Sequence, residues 1–259
     1  MEEKVFITNR NGLKMAIKLN VSSDRTKLVF LEHGLSARKE YPHMKVMEDI
    51  FAQFGYNVVN IDATNSLNES EISGVGITFT SHYQDLQDAI NWAKTQSFYV
   101  EPFAIAGQSL GAASGINFAG NYPDKVNLLL AAASPFIKGQ DLMEKDEMMK
   151  HVEQYGYFDK VSKSVGRTLR INKIFNDDIK QYDLAKAIKN IKADTYIIQG
   201  DLDVAHIKEV SSQIYNMLDT KKHFILLENT PHDLANTEQT KSLFTNTMID
   251  ILKSVHEKN

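Results

Sequence analysis

The strongest constraint on this chain is the stretch Phe103-Ala104-Ile105-Ala106-Gly107-Gln108-Ser109-Leu110-Gly111-Ala112-Ala113. An apolar segment short enough for a buried strand runs straight into Gly-x-Ser-x-Gly, and small, helix-compatible residues follow. A serine wedged between a strand and a helix is held in a strained backbone conformation that only close, side-chain-free neighbours permit. Gly107 and Gly111 supply that room, which pushes Ser109 out of the turn with its hydroxyl exposed. The pentapeptide by itself is a weak signal, because an ordinary Gly-rich strand-to-helix turn would read the same way. The rest of the chain has to decide.

Read in order, residues 5–8 and 13–19 are two strands joined by Asn9-Arg10-Asn11-Gly12, where Asn-Gly signals a tight turn. A continuous apolar strand over 28–32 ends at His33-Gly34-Leu35, and apolar residues at helical spacing follow over 44–54 until Gly55. Residues 57–61 form the next strand, 62–80 a polar loop, and 83–94 an amphipathic helix with Leu86, Ile90 and Ala93 on one face. After the serine turn and its helix, 126–133 is another buried run. Strands alternating with helices, several apolar on both faces, predict a mainly parallel sheet covered on both sides.

That rhythm fails from about 134 to 191. The segment is charged and amphipathic, with a short hairpin suggested around Ser164-Val165-Gly166-Arg167 and an apolar helix face from Met143, Met148, Met149, Val152 and Tyr155. Together with Tyr157 and Phe158, its methionines and aromatics are expected to wall a pocket. We read 1–259 as one domain carrying this segment as a lid between the sixth and seventh predicted strands, against the plainer alternative of two packing helices. Alternation resumes with a strand at 195–199, a helix at 207–218, a strand at 223–227 and a helix at 239–253.

A serine hydroxyl needs a neighbouring base to attack at neutral pH, and the base needs an acid to orient it. In a parallel sheet those partners must lie in loops at the carboxyl ends of later strands. Gly200-Asp201-Leu202-Asp203-Val204 follows one such strand, and Glu228-Asn229-Thr230-Pro231-His232-Asp233 follows the next. The resulting order of Ser, Asp, His suits a strand-turn-helix nucleophile and neither the chymotrypsin nor the subtilisin arrangement. Asp203 is preferred over Asp201 because it stands far enough past the strand to turn toward the histidine, whereas Asp201 suits a turn. Among eight histidines, His232 alone directly follows the last predicted strand. His43, His82, His151, His206, His223 and His256 read as surface or packing residues, with no metal-ligand spacing. Oxyanion stabilisation calls for two backbone donors, expected from the N–H groups of Leu35 and Leu110.

The set His-Gly-Leu, Gly-Gln-Ser-Leu-Gly, Gly-Asp-Leu-Asp and Pro-His-Asp-Leu resembles the α/β-hydrolase superfamily over residues 27–253. The single lid and compact size are similar to small bacterial carboxylesterases of the feruloyl/cinnamoyl esterase type and to monoacylglycerol lipase and serine aminopeptidase relatives. Gly166-Arg167-Thr168-Leu169-Arg170-Ile171 and Tyr182-Asp183-Leu184 resemble the end of the cinnamoyl esterase lid. Three departures bear on subfamily and leave the triad intact. Gln108 replaces a common histidine, Ala193-Asp194 lacks a usual proline, and Ala205 stands where Val-Pro is usual. The resemblance implies an α/β-hydrolase fold, a mostly parallel eight-stranded sheet with helices on both faces and an inserted lid. It further implies a serine carboxylesterase acting on small-molecule esters through an acyl-enzyme, without cofactor or metal. Thioesterase and small-peptide hydrolase activities use the same machinery, and a non-catalytic ligand-binding homologue is the rival from another class.

Composition narrows the partners. A net charge of −4 argues against a nucleic-acid footprint, and no apolar run approaches a bilayer span. The absence of Cys excludes disulfides and thiolate chemistry and fits a reducing compartment. With an acidic N-terminus lacking a signal-type apolar core, the expectation is a soluble cytoplasmic protein. The oligomeric state, a homodimer included, stays open.

Overall fold

The computed structural model of the chain describes residues 2–162 and 166–257. β1 (Glu2–Thr8) and β2 (Lys14–Asn20) pair antiparallel across the Asn9–Gly12 turn, in which Gly12 takes the positive φ of 77° that the turn demands. Then follow β3 (Lys27–Glu32), α1 (Pro42–Gln53), β4 (Tyr56–Asp62), α2 (Phe79–Ala93), β5 (Phe103–Gln108), α3 (Leu110–Asn121) and β6 (Val126–Ala132). After the interruption come β9 (Asp194–Gly200), α8 (Ala205–Met217), β10 (Lys222–Leu227) and α9 (Glu238–His256). These strands form one eight-stranded sheet in the order β1-β2-β4-β3-β5-β6-β9-β10. Only β2 runs against its neighbours, pairing antiparallel with both β1 and β4.

The central strands are apolar on both faces because each face is covered. In β3, Leu28 and Phe30 join one core while Val29 and Leu31 join the other. β5 divides the same way, with Phe103 and Ile105 on one side and Ala104 and Ala106 on the other. The helices α1 and α9 cover the second core, and α2, α3 and α8 cover the first. α2 begins at Phe79, four residues before the apolar periodicity suggests, because Thr78 and Ser81 form a reciprocal capping box. The polar loop after β4 is largely buried at its start. Asp62 accepts from the Glu69 and Ser70 amides at 3.0 and 3.1 Å, so this loop is tied down by its own carboxylate.

Between β6 and β9 the chain builds α4 (Gly139–Lys145), α5 (Glu147–Tyr155), β7 (Tyr157–Ser162), β8 (Arg167–Asn172), α6 (Lys173–Ile179) and α7 (Ala185–Asn190). The hairpin suggested by sequence is present as β7 paired antiparallel with β8, and the expected turn at Ser164-Val165 lies outside the described residues. The expected single apolar face is corrected. Asp146 caps α5, its carboxylate accepting from the Met149 amide at 3.1 Å, so Met143 belongs to a separate helix and packs into the core. Gly156 ends α5 with a φ of 86°, and Tyr155 and Tyr157 on either side of it point to solvent.

Candidate active site

Ser109 stands between β5 and α3. Its amide donates to the Ala132 carbonyl at 2.8 Å, extending the sheet ladder, while its carbonyl accepts the first helical bond from Ala113 at 3.1 Å. Serving both elements forces φ 55° and ψ −118°, a conformation costly for any residue with a Cβ. The flanking glycines are required by contact. A Cβ on Gly107 would lie 2.5 Å from the Gly111 carbonyl carbon, and one on Gly111 would lie 2.6 Å from that of Glu32. Leu110 opens α3, so its N–H is among the first-turn amides that lack an acceptor within the helix.

The loop after β3 lies against this turn. A Cβ on Gly34 would come within 2.9 Å of the Ser109 Cβ and 2.6 Å of Gln108 Oε1, so only glycine lets Leu35 reach the serine. His33 pins the loop from behind. The Ala63 amide donates to its Nε2 at 3.1 Å, so Nδ1 carries the proton donated to the Gly34 carbonyl at 2.8 Å. Burial holds His33 neutral, with its pKa pulled from 6.5 to about 4.

His232 and Asp203 meet from the loops after β10 and β9. His232 Nδ1 donates to Asp203 Oδ2 at 2.8 Å, which leaves Nε2 free. Asp203 also accepts from Gln199 Nε2 at 2.9 Å and from the Val204 amide at 2.7 Å. Burial pushes this carboxyl upward, and the His232 hydrogen bond and charge, with the Gln199 and Val204 donors, outweigh it to leave the pKa lowered. Asp201 does different work. It accepts from the Thr230 amide at 3.0 Å, stitching the two loops together as a turn residue. Its pKa is lowered chiefly by that backbone hydrogen bond.

Ser109, His232, Asp203, Leu35 and Leu110 all line one cavity of about 430 Å³. Its far wall is apolar and comes from the segment between β6 and β9, through Leu142, Met148, Met149 and Phe175. Three supporting residues escaped the sequence reading. Gln108 Nε2 donates to the His232 carbonyl at 3.0 Å, so the departure at this position has a structural role. Gln199, a buried amide closing an apolar strand, orients Asp203 while its Oε1 accepts from Ser211 at 2.6 Å. His43 Nδ1 donates to the Asp233 carbonyl at 2.9 Å and steadies the loop from below. A polar residue ending an apolar run was the available signal for Gln108 and Gln199. Among the described residues no group of three His, Asp or Glu is placed to hold a metal, and no helix is long and apolar enough to cross a membrane.

The sheet order, the strained serine turn and the covered cavity above it define an α/β-hydrolase. The sequence model of the serine aminopeptidase family S33 matches residues 23–187, well over half of the chain, and the chain belongs to that family. Among solved structures the chain is similar to Est1E from Butyrivibrio proteoclasticus with ferulic acid bound, at a TM-score of 0.82 and 14% identity, covering 96% of this chain and 98% of that one. It is also similar to mouse alpha/beta hydrolase domain-containing protein 10, at a TM-score of 0.76 and 16% identity over 98% and 99%. A third similar structure is the esterase domain of a Rhodothermus marinus protein, at 0.68 and 17% over 98% of each chain. No curated protein matches the chain in sequence.

Proposed function

We propose that this hydrolase is a serine carboxylesterase in which Ser109, His232 and Asp203 form a catalytic triad. The observation that carries the reading is the His232–Asp203 hydrogen bond of 2.8 Å in the loops that share a cavity with the strained Ser109. His232 Nε2 takes the hydroxyl proton as Ser109 Oγ attacks the ester carbonyl, and Asp203 fixes the tautomer and stabilises the imidazolium. The tetrahedral oxyanion is held by the Leu35 and Leu110 amides. Its collapse breaks the ester C–O bond, and His232 returns the proton to the leaving alkoxide. Water, deprotonated by the same nitrogen, then releases the acid from the acyl-enzyme. The segment between β6 and β9 acts as a lid whose Leu142, Met148, Met149 and Phe175 receive an apolar or aromatic group.

The likeness to Est1E with ferulic acid bound makes hydroxycinnamate esters one candidate class. The family's aminopeptidase description makes aminoacyl amides another, served by the same acyl-transfer steps. The deciding experiment is fluorophosphonate labelling together with hydrolysis of p-nitrophenyl esters of increasing length, methyl ferulate and an aminoacyl p-nitroanilide. Ser109→Ala should remove labelling and lower ester turnover by about 10⁴ or more while the protein stays folded. Continued labelling of folded Ser109→Ala would place the nucleophile elsewhere and end this reading.

A further inference from the structure

The catalytic cavity contains a cation that the acyl-transfer mechanism does not use. β7 alternates, with Phe158 and Lys160 half-buried while Tyr157, Asp159 and Val161 are exposed. This alternation separates Lys160 from the carboxylate beside it in sequence. Asp159 points outward, where Arg170 takes both its oxygens at 2.7 Å. Lys160 points inward and lines the same cavity as Ser109 and His232. Among the described residues no carboxylate comes within 4.0 Å of its Nζ.

Two acids face Lys160 from other elements, and neither occupies its donors. Asp146 is committed to the α5 cap and lies 3.7 Å from His206 Nε2. Asp233 follows the catalytic histidine in the loop after β10. Burial draws the ammonium below the ordinary lysine value, and the charges of Asp233 and Asp146 oppose that shift. Lys160 also borders a second hollow of about 620 Å³, together with Met148, Val161 and Val204, so it stands where the two spaces adjoin. A half-desolvated ammonium that meets no hydrogen-bond acceptor among the described residues is best satisfied by an anionic oxygen acceptor.

We propose that Lys160 selects esters bearing a carboxylate on the part of the substrate remote from the scissile carbonyl, so that hemi-esters of dicarboxylic acids are preferred over neutral esters of equal length. The apolar wall takes the intervening methylenes and the ammonium takes the terminal carboxylate. The inference rests on the esterase reading for its turnover assay but not for its binding assay. In the first, kcat/KM is measured for p-nitrophenyl hemisuccinate, hemiglutarate and hemiadipate against the neutral butyrate, pentanoate and hexanoate. Lys160→Met should lower the anionic-to-neutral ratio by roughly ten- to hundredfold, mainly through KM, as expected for one charge-assisted hydrogen bond. Lys160→Arg should restore much of the ratio, and Lys160→Gln supplies a second neutral variant should methionine disturb the hairpin.

In the second assay, monomethyl glutarate and methyl pentanoate are titrated calorimetrically into Ser109→Ala protein with and without Lys160→Met. Tighter binding of the hemi-ester that disappears with Lys160 supports the charge site even where the wild type hydrolyses neither ester, a result that would overturn only the esterase reading. Hydrolysis of both series with a ratio unchanged in Lys160→Met and Lys160→Gln would overturn this inference and leave the esterase reading standing.

Discussion

Acid should unfold this protein through three buried histidines that lie beneath the loops of the candidate site. His33, His43 and His82 are fully buried, and desolvation lowers their pKa values from 6.5 to about 4, about 3 and about 4. Geometry agrees at His33, where the Ala63 amide already occupies Nε2 and a second proton would set two N–H groups against each other. Each folded value lies below the unfolded one, so the unfolded chain binds protons first as the pH falls. The stability these groups contribute is full above about pH 6.5 and drains away toward pH 4. Glu32 works in the opposite sense. It is fully buried 2.7 Å from His82 Nδ1, and burial raises its pKa well above the ordinary value, so the folded state holds its proton and gains as the pH falls. Asp85, also raised by burial, adds a smaller term of the same sign.

At pH 5 the three histidines take up nearly three protons on unfolding, and the raised carboxyls of Glu32 and Asp85 offset part of that uptake. At about 1.4 kcal/mol per proton per pH unit, the histidines alone would lower stability by roughly 5 kcal/mol between pH 7 and pH 5, an upper bound that the two carboxyls reduce. Urea titrations followed by the fluorescence of Trp92, the single tryptophan, measure this directly. His43→Gln keeps a donor for the Asp233 carbonyl but does not titrate, so below pH 6 its stability slope should be shallower by about one proton. A midpoint that stays level or rises from pH 7 to pH 5, or an unchanged slope in His43→Gln, would refute the argument.

Two further outcomes are expected. Asp203→Asn should lower kcat by about 10⁴, because the amide cannot enforce the histidine tautomer, whereas Asp201→Asn should act through loop stability and cost far less; steady-state kinetics with a p-nitrophenyl ester ranks them, and the reverse order would move the acid to Asp201. Gly111→Ala should destabilise by at least about 3 kcal/mol, since its Cβ would overlap the Glu32 backbone, while Gly74→Ala, with nothing within 4 Å, should be nearly neutral in the same urea titration.

The elements that carry the candidate site were legible because their signals are local. A parallel strand covered on both faces must be apolar throughout, so 28–32, 103–106 and 195–199 stand out, and the residues just after them are the ones the sheet presents at its carboxyl edge. The segment between β6 and β9 lacked such a signal. Its hairpin strands read Tyr-Phe-Asp-Lys-Val-Ser and Arg-Thr-Leu-Arg-Ile-Asn, one face packed and the other charged, over too few residues for a period of two to emerge. Its apolar wall was assigned to one helix because the cap at Asp146 looks like any other acidic residue until its carboxylate is seen on the Met149 amide.

What sequence could not reveal is the polar scaffold that holds the site together, and its chemistry explains why. Glu32, Gln108 and Gln199 each sit at the carboxyl end of an apolar strand, a place where a polar residue normally marks the exit to solvent. All three are instead buried; Gln108 reaches across to the loop after β10, and Gln199 turns back onto the loop that follows its own strand. Gln108 grips the His232 carbonyl and Gln199 grips Asp203, so two neutral amides fix the proposed base and its acid from outside the proposed reacting set. An amide suits this task because it donates at any pH and adds no charge that would compete with Asp203 for the histidine proton. Below them His33, His43 and His82 are kept neutral by burial, so that proton uptake there favours the unfolded chain. The site is therefore held by pH-independent donors at the level of the chemistry and by pH-dependent ones a layer beneath it. Loss of activity in acid should accordingly follow loss of structure: rapid-mixing assays at pH 5 would report it as a slow decay that recovers on return to pH 7 only as fast as the chain refolds, and a decay complete within the mixing time would place the acid-sensitive step outside these histidines.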